Sequence, residues 1–79
     1  MKRITLYTKP GCHLCESVEQ VVARVAARRQ IDVETRNIES DPADFQRFQF
    51  DIPVVFVDGR EVARHRLTAR EFEAALDQR

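Results

Sequence analysis

A chain of 79 residues, of which 43% are hydrophobic, is long enough for one domain with a small core. Its 13 basic and 13 acidic side chains give a formal net charge of zero, which offers no electrostatic reason to expect nucleic acid or an anionic membrane as a partner. Lys2 and Arg3 lead directly into a strand-like segment, so we expect neither a signal peptide nor a membrane span. The default compartment is then the cytosol, where neighbouring thiols are usually catalytic, redox-sensing or metal-bound.

The first half of the chain predicts a strand, a helix and a second strand. Residues 3–8, RITLYT, are β-branched and apolar and precede the loop KPG, which predicts a strand buried on both faces. Apolar residues then recur at helical spacing, which predicts an amphipathic helix over residues 13–29. Residues 31–39, IDVETRNIE, alternate in polarity and predict the second strand. Together these elements begin a βαβ unit.

The second half begins with a short helix and a hairpin. Asp41 can cap a helix that starts at Pro42, where the missing proline N–H has no cost. Residues 53–57, PVVFV, predict a buried strand. The dipeptide DG at 58–59 is a two-residue hairpin signal, and the alternating residues 60–65 predict the returning strand.

A final helix is predicted from its start signals. Thr68 and Glu71 have the spacing of a capping box, so the helix begins near Ala69. Its predicted buried residues are Phe72, Ala75 and Leu76. The element order is therefore βαβαββα in a single domain over residues 1–79.

The two cysteines of the chain, Cys12 and Cys15, lie where the first strand gives way to the first helix. Free backbone N–H groups and the positive end of the helix dipole point at the Cys12 sulfur and favour its thiolate. Cys15 lies one turn into the helix, within reach of Cys12 and more buried. We therefore predict Cys12 as the nucleophile and Cys15 as the resolving cysteine of a thiol-disulfide exchange.

Other uses of the cysteines are less well supported by the residues around them. A structural zinc site usually has four ligands, and the chain offers only His13 and His65 besides the cysteines, so we predict no metal site. A permanent disulfide at this spacing would close too small a loop to remove much chain entropy. Lys9 could stabilise a thiolate or an incoming carboxylate, and a protonated His13 would further favour the thiolate. Both residues could equally be ordinary exposed side chains.

The cysteine pair and a later proline occur in an order typical of a known family. With KPGCHLC at 9–15 and IPVVFVDG at 52–59, the chain resembles glutaredoxin-like proteins of the thioredoxin superfamily, most of all the small bacterial type with a CHLC active site. The resemblance covers essentially the whole chain. It implies a four-stranded mixed sheet with helices on both faces, and a cytoplasmic oxidoreductase active in electron transport and cell redox homeostasis.

The same resemblance implies the roles of two further residues. The Ile52–Pro53 peptide bond is expected to be cis, and Pro53 is expected to lie against the two sulfurs. The backbone of Ile52 is then expected to be free to pair with an extended thiol substrate as an added strand.

Two positions depart from the family pattern. Glutathione-using glutaredoxins generally carry a Gly-Gly pair after the hairpin, but this region reads EVARHRLTAREF, and only Lys9 is retained to meet a glutathione carboxylate. Gln49 stands where a glycine commonly ends the second helix, and a left-handed residue there would cost on the order of 1 kcal/mol unless the loop differs.

The implied cofactor is only the Cys12–Cys15 redox disulfide, with glutathione as a possible addition. The implied partners are a protein or small-molecule disulfide and a separate reductant, acting on a monomer without nucleic acid or membrane. The alternative is a thioredoxin-fold binding or carrier module with little turnover, which could hold an iron-sulfur cluster between two copies through Cys12.

Overall fold

The structure, a computed structural model, describes residues 2–78 and has the predicted order of strands and helices. The strands are β1 (Ile4–Thr8), β2 (Val33–Asn37), β3 (Val54–Val57) and β4 (Arg60–Arg64). The helices are α1 (His13–Arg29), α2 (Pro42–Phe48) and α3 (Ala69–Asp77), with a short 3-10 helix at Ile38–Ser40. The predicted bounds of the first helix and the predicted start of the last are confirmed. None of the helices within residues 2–78 has the length and apolar character needed to cross a membrane.

The four strands form one mixed sheet in the order β2-β1-β3-β4. β1 pairs in parallel with β2 and antiparallel with β3, and β3 continues into β4 through a hairpin. One face of the sheet buries Leu6 and Val55 with apolar residues of α1 and α3, including Phe72. The other face packs Val54 against Phe48 of α2. The predicted fold class, with helices on both faces, is confirmed.

Three expectations about individual elements are wrong in detail. β1 is fully buried on one face only, because α2 has just seven residues and leaves Tyr7 half-exposed on the other. β2 is shorter than the predicted 31–39, because Ile31 still hydrogen-bonds to the end of α1 and a 3-10 helix follows Asn37. Ala75 is half-exposed on α3, whose buried residues are Phe72 and Leu76.

The turn between β3 and β4 has the geometry that its sequence predicts. Asp58 and Gly59 both have positive φ, 53° and 82°, as the inner residues of a type I′ hairpin turn do. The Asp58 carboxylate also accepts a hydrogen bond from the Arg3 backbone N–H at 2.8 Å. The turn therefore fastens the start of β1 to the hairpin.

The end of α2 differs from the family pattern, in which a glycine stands where this chain has Gln49. Gln49 has right-handed helical geometry, φ −56° and ψ −27°, and its N–H donates to the Phe45 carbonyl at 3.0 Å. No left-handed residue is needed there, so the chain avoids the expected strain by a different path through the loop. This path leads directly to Ile52 and Pro53.

The capping box at the start of α3 is present with both of its reciprocal hydrogen bonds. The Glu71 N–H donates to the Thr68 hydroxyl at 3.1 Å, and the Thr68 N–H donates to the Glu71 carboxylate at 3.0 Å. The hydrogen bond from the Thr68 backbone, followed by the one from its hydroxyl, lowers the pKa of Glu71 from the ordinary 4.5. The ionised carboxylate is thus the form that caps the helix.

The capping box should make part of the stability depend on pH. Because the folded-state pKa of Glu71 is lowered, its contribution is present above the ordinary value of 4.5 and is lost as pH falls through the folded value. We expect the unfolding free energy of Glu71→Gln to fall less steeply than that of the wild type as pH decreases over that acidic range. Urea unfolding at a series of pH values measures it, with Thr68→Ala as a second route to the same effect. Parallel pH profiles for the wild type and both variants would contradict the prediction.

Candidate active site

The Cys12 sulfur itself caps the N-terminus of α1. Gly11 has a φ of 78°, which turns the chain from the KPG loop into the helix, and Cys12 follows in extended geometry as the N-cap residue. Its Sγ accepts a hydrogen bond from the Cys15 N–H at 3.2 Å. A sulfur in this position occupies the place that a serine or aspartate oxygen takes in ordinary helix caps. The sulfur therefore lies at the positive end of the helix dipole.

Cys15 lies next to Cys12 on the side toward the core. The two sulfurs are at disulfide-bonding distance, and the two Cα atoms are 5.2 Å apart. The side chain of Cys15 is buried, with 1% exposure, whereas Cys12 is half-buried. The predicted difference in accessibility between the two thiols is confirmed. An outside molecule can therefore approach Cys12 but not Cys15.

An apolar cluster forms the floor beneath the disulfide, and we call it the site cluster. Its buried members are Cys15, Ile38, Phe48, Ile52 and Val54, with Cys12, Tyr7 and Phe56 packed against them. The three aromatic rings pack together, with Tyr7 and Phe48 centroids 4.5 Å apart and the Phe56 ring edge-on to both. This floor separates Cys15 from solvent.

The segment Ile52–Pro53 adjoins the cysteines, and its peptide bond is cis. Ile52 belongs to the same cluster as Cys15, and Pro53 is buried next to it. The expectation that the Ile52 backbone is free is wrong for its N–H, which donates to the Phe48 carbonyl at 3.1 Å because the chain turns tightly after α2. Pairing with an added strand at this residue would thus use the Ile52 carbonyl.

Two contacts from the end of β4 and the residue after it hold the loop before Pro53, and the sequence did not predict them. Arg64 of β4 contacts Asp51 at 3.0 Å between Nη1 and Oδ2, and its Nη2 donates to Glu61 at 2.9 Å. The hydrogen bond from Arg64 lowers the pKa of Glu61. The N–H of His65 also donates to the Pro53 carbonyl at 2.8 Å. Strand β4 therefore positions the loop that faces the disulfide.

The two predicted polar site residues lie outside the site cluster. His13 is the first residue of α1, and its side chain is 98% exposed with Nδ1 3.6 Å from the Glu16 carboxylate. Lys9 is exposed in the loop after β1, where it lines a shallow groove together with Glu16 and Glu19. The structure thus brings Cys12, Cys15 and Ile52 together in the site cluster, with Pro53 buried next in the chain, and leaves Lys9 and His13 at the solvent-exposed margin.

Sequence reasoning missed Phe50 as a feature of the site. Its side chain is 82% exposed, in the turn between α2 and Ile52. An aromatic residue in a short polar turn, three positions before the predicted cis-proline, was a signal that could have been used. His13 and His65 are part of no metal-binding group of three or more ligands within residues 2–78.

The fold and the cysteine pair define a class of protein: a thioredoxin-like domain with a CxxC pair at the start of its first helix. Within that class, the sequence profile of the glutaredoxin-like domain family (DUF836) matches residues 3–77. The chain belongs to this family.

Individual relatives support the same placement. The curated "Glutaredoxin-like protein YDR286C homolog" of Dictyostelium discoideum is 26% identical over a 73-residue alignment, and the match covers 81% of this chain. The chain spans 65% of that relative's length. A solved structure, XcR50 from X. campestris, is 28% identical with a TM-score of 0.79, covering 94% of this chain and 95% of that one. Thioredoxin 1 from Thermosipho africanus, 19% identical, shares the fold with a TM-score of 0.64 over 95% and 94% of the two chains.

Proposed function

We propose that the protein is a dithiol-disulfide oxidoreductase that reacts through Cys12. The observation that carries the proposal is the position of the Cys12 sulfur, which caps α1 and receives the Cys15 N–H at 3.2 Å. Backbone N–H groups and the helix dipole stabilise negative charge at that point, and the thiolate is the nucleophilic form of cysteine. The half-exposed side of Cys12 gives an incoming disulfide a direction of approach.

The reaction proceeds in two exchanges. The Cys12 thiolate attacks one sulfur of a substrate disulfide, so that a Cys12–substrate disulfide forms and the other substrate sulfur leaves as a thiolate that takes up a proton. Cys15 then loses its proton and attacks Cys12 Sγ, which forms the Cys12–Cys15 disulfide and releases the second substrate thiol. Two electrons pass from the protein to the substrate, and a separate thiol reductant returns them.

The environment of Cys15 supports its role as the resolving cysteine. Its sulfur lies in the apolar site cluster, where a thiolate is disfavoured and outside molecules have no access. The attack still needs the Cys15 thiolate, but the short distance to a mixed disulfide at Cys12 makes a small thiolate fraction sufficient. That distance is built into the helix.

The margin of the site favours a substrate other than glutathione. Lys9 is available to meet a carboxylate, but the segment after the hairpin has side chains where a Gly-Gly pair would expose its backbone. His13 stands beside Cys12 at the solvent and is placed to contact the part of a substrate that stays outside. We propose a cytoplasmic monomer with no resident cofactor beyond the cysteine pair.

A direct assay tests this function. The reduced protein should reduce insulin or a small mixed disulfide, and the absorbance of its thiolate against pH should show one thiol ionising more readily than free cysteine. A colourless monomer with this activity supports the oxidoreductase. A brown dimer that binds iron and sulfide, or a protein that exchanges with no disulfide, would support the carrier module instead.

A further inference from the structure

Three large apolar side chains are left exposed within residues 2–78, and two of them lie close in the chain to residues of the active site. The three are Leu14, Phe45 and Phe50, with exposures of 46%, 38% and 82%. Leu14 lies between the two cysteines, and Phe50 lies two residues from both Phe48 and Ile52.

Phe50 contributes little to folding in this position. A side chain that is 82% exposed keeps most of its apolar area in water, so the fold gains almost none of the stabilisation that burial of a phenylalanine provides. Single exposed apolar residues are common on protein surfaces. Leu14 lies beside the cysteines and Phe50 lies just before Ile52, so exposed apolar side chains occur on two segments that meet at the active site. We call these two residues the apolar patch, because exposed apolar groups of this kind mark interaction sites.

Two arginines on the segments next to this patch lack a close carboxylate partner among residues 2–78. Asp51 is paired with Arg64, and Glu16 lies beside His13. Arg47, whose guanidinium carbon is 4.5 Å from the Phe48 ring centroid, has no carboxylate within 4.0 Å among residues 2–78, and the same holds for Arg66. Cations without a partner at the edge of an apolar patch are complementary to a ligand with carboxylates.

We propose that Phe50 and Leu14 dock a polypeptide disulfide whose cysteine is flanked by apolar and acidic residues. The proposal rests on the proposed function, since a disulfide that reaches Cys12 must bring its neighbouring residues against this surface. An apolar side chain of the partner covers Phe50, and its carboxylates face Arg47 and Arg66. Glutathione is too small and too polar to cover the patch.

Three mixed disulfides with the same leaving group test the proposal. Each carries 5-thio-2-nitrobenzoate on one cysteine: in a peptide flanked by Leu and Glu, in a peptide of equal length flanked by Ser and Lys, and in glutathione. Reduced protein releases the coloured thiol in a single turnover that leaves the Cys12–Cys15 disulfide, and the rate gives a second-order rate constant for each substrate. We expect the wild type to prefer the apolar acidic peptide about tenfold or more over the other two, the size of effect that one interface anchor supplies.

Variants assign this preference to the patch. Phe50→Ser should reduce the preference to about threefold or less. Arg47→Gln should also reduce the preference, because it weakens the contact with the acidic residues of the peptide. The matched control is Arg24→Gln, an exposed arginine on α1 with no ion pair among residues 2–78, and it should retain the full preference. Urea unfolding verifies that each variant is folded.

The outcomes are distinguishable. Equal rates with all three substrates, a preference for glutathione, or a Phe50→Ser variant with the full preference would overturn the docking surface while leaving the oxidoreductase intact. A wild type that releases no coloured thiol from any substrate would overturn both the proposed function and the docking surface. A tenfold preference that depends on Phe50 supports the proposal.

Discussion

Replacement of Cys12 by serine is expected to abolish disulfide exchange, whereas replacement of Cys15 is expected to stall the reaction at its midpoint. Cys12→Ser removes the exposed nucleophile, and Cys15 is too buried to take its place. We expect the rate to fall roughly 10³-fold or more, as it does when an essential nucleophile is lost. Cys15→Ser keeps the attack by Cys12 but removes the thiol that would release the substrate.

The measurement is the amount of mixed disulfide formed. After incubation with a substrate disulfide, Cys15→Ser should migrate as a covalent adduct under non-reducing conditions, and a thiol reductant should dissolve the adduct. The Cys12→Ser/Cys15→Ser double variant is the control for thiol-independent association. Equal trapping by Cys12→Ser and Cys15→Ser would show that the roles of the two cysteines are assigned wrongly.

Phe48→Ala should be the most destabilising single substitution near the site. Phe48 is 2% exposed and packs against the rings of Tyr7 and Phe56. Truncation of a buried phenylalanine typically costs about 3–5 kcal/mol, because the cavity that remains does not collapse completely. A domain of this size has a total stability of roughly 4–12 kcal/mol, so the substitution should remove a large share of it.

A matched control lies one helical turn earlier. Phe45 is the same residue type on the same helix but is 38% exposed, and we expect Phe45→Ala to cost about 1 kcal/mol or less. Urea unfolding of both variants measures the difference. The exchange rate of folded Phe48→Ala should also fall, because the Phe48 ring belongs to the site cluster that holds Cys15 and Ile52. Equal losses of stability in the two variants would contradict this account of the site cluster.

Local signals in the sequence were sufficient for the helix starts and the hairpin. The capping box at Thr68 and the proline after Asp41 act within one turn, so their geometry does not depend on distant residues. Asp58 and Gly59 likewise determine their own turn. The end of β2 was predicted less well, since Asn37 caps a 3-10 helix where the alternation of polarity continues in the sequence.

The site was predictable where it depends on helix geometry and unpredictable where it depends on packing. The spacing of Cys12 and Cys15 implied which thiol is accessible, because one helical turn separates them. The hydrogen bond from the Ile52 N–H to the Phe48 carbonyl depends on the path of the loop after α2, which no motif specifies. The ion pair between Arg64 and Asp51 joins two segments that become neighbours only when the chain folds. No periodicity or motif carries that information.

What the sequence alone determined is the chemistry: a thiol at the first turn of a helix, with a second thiol one turn later, because dipole and spacing are properties of the local backbone. Tertiary structure decided what surrounds those thiols. Packing of α2 against the sheet brought Phe48 and Ile52 under Cys15 and left Phe50 in solvent. Burial depends on contacts between segments that are distant along the chain, so the same residue type, phenylalanine, is core at one position and surface two residues later.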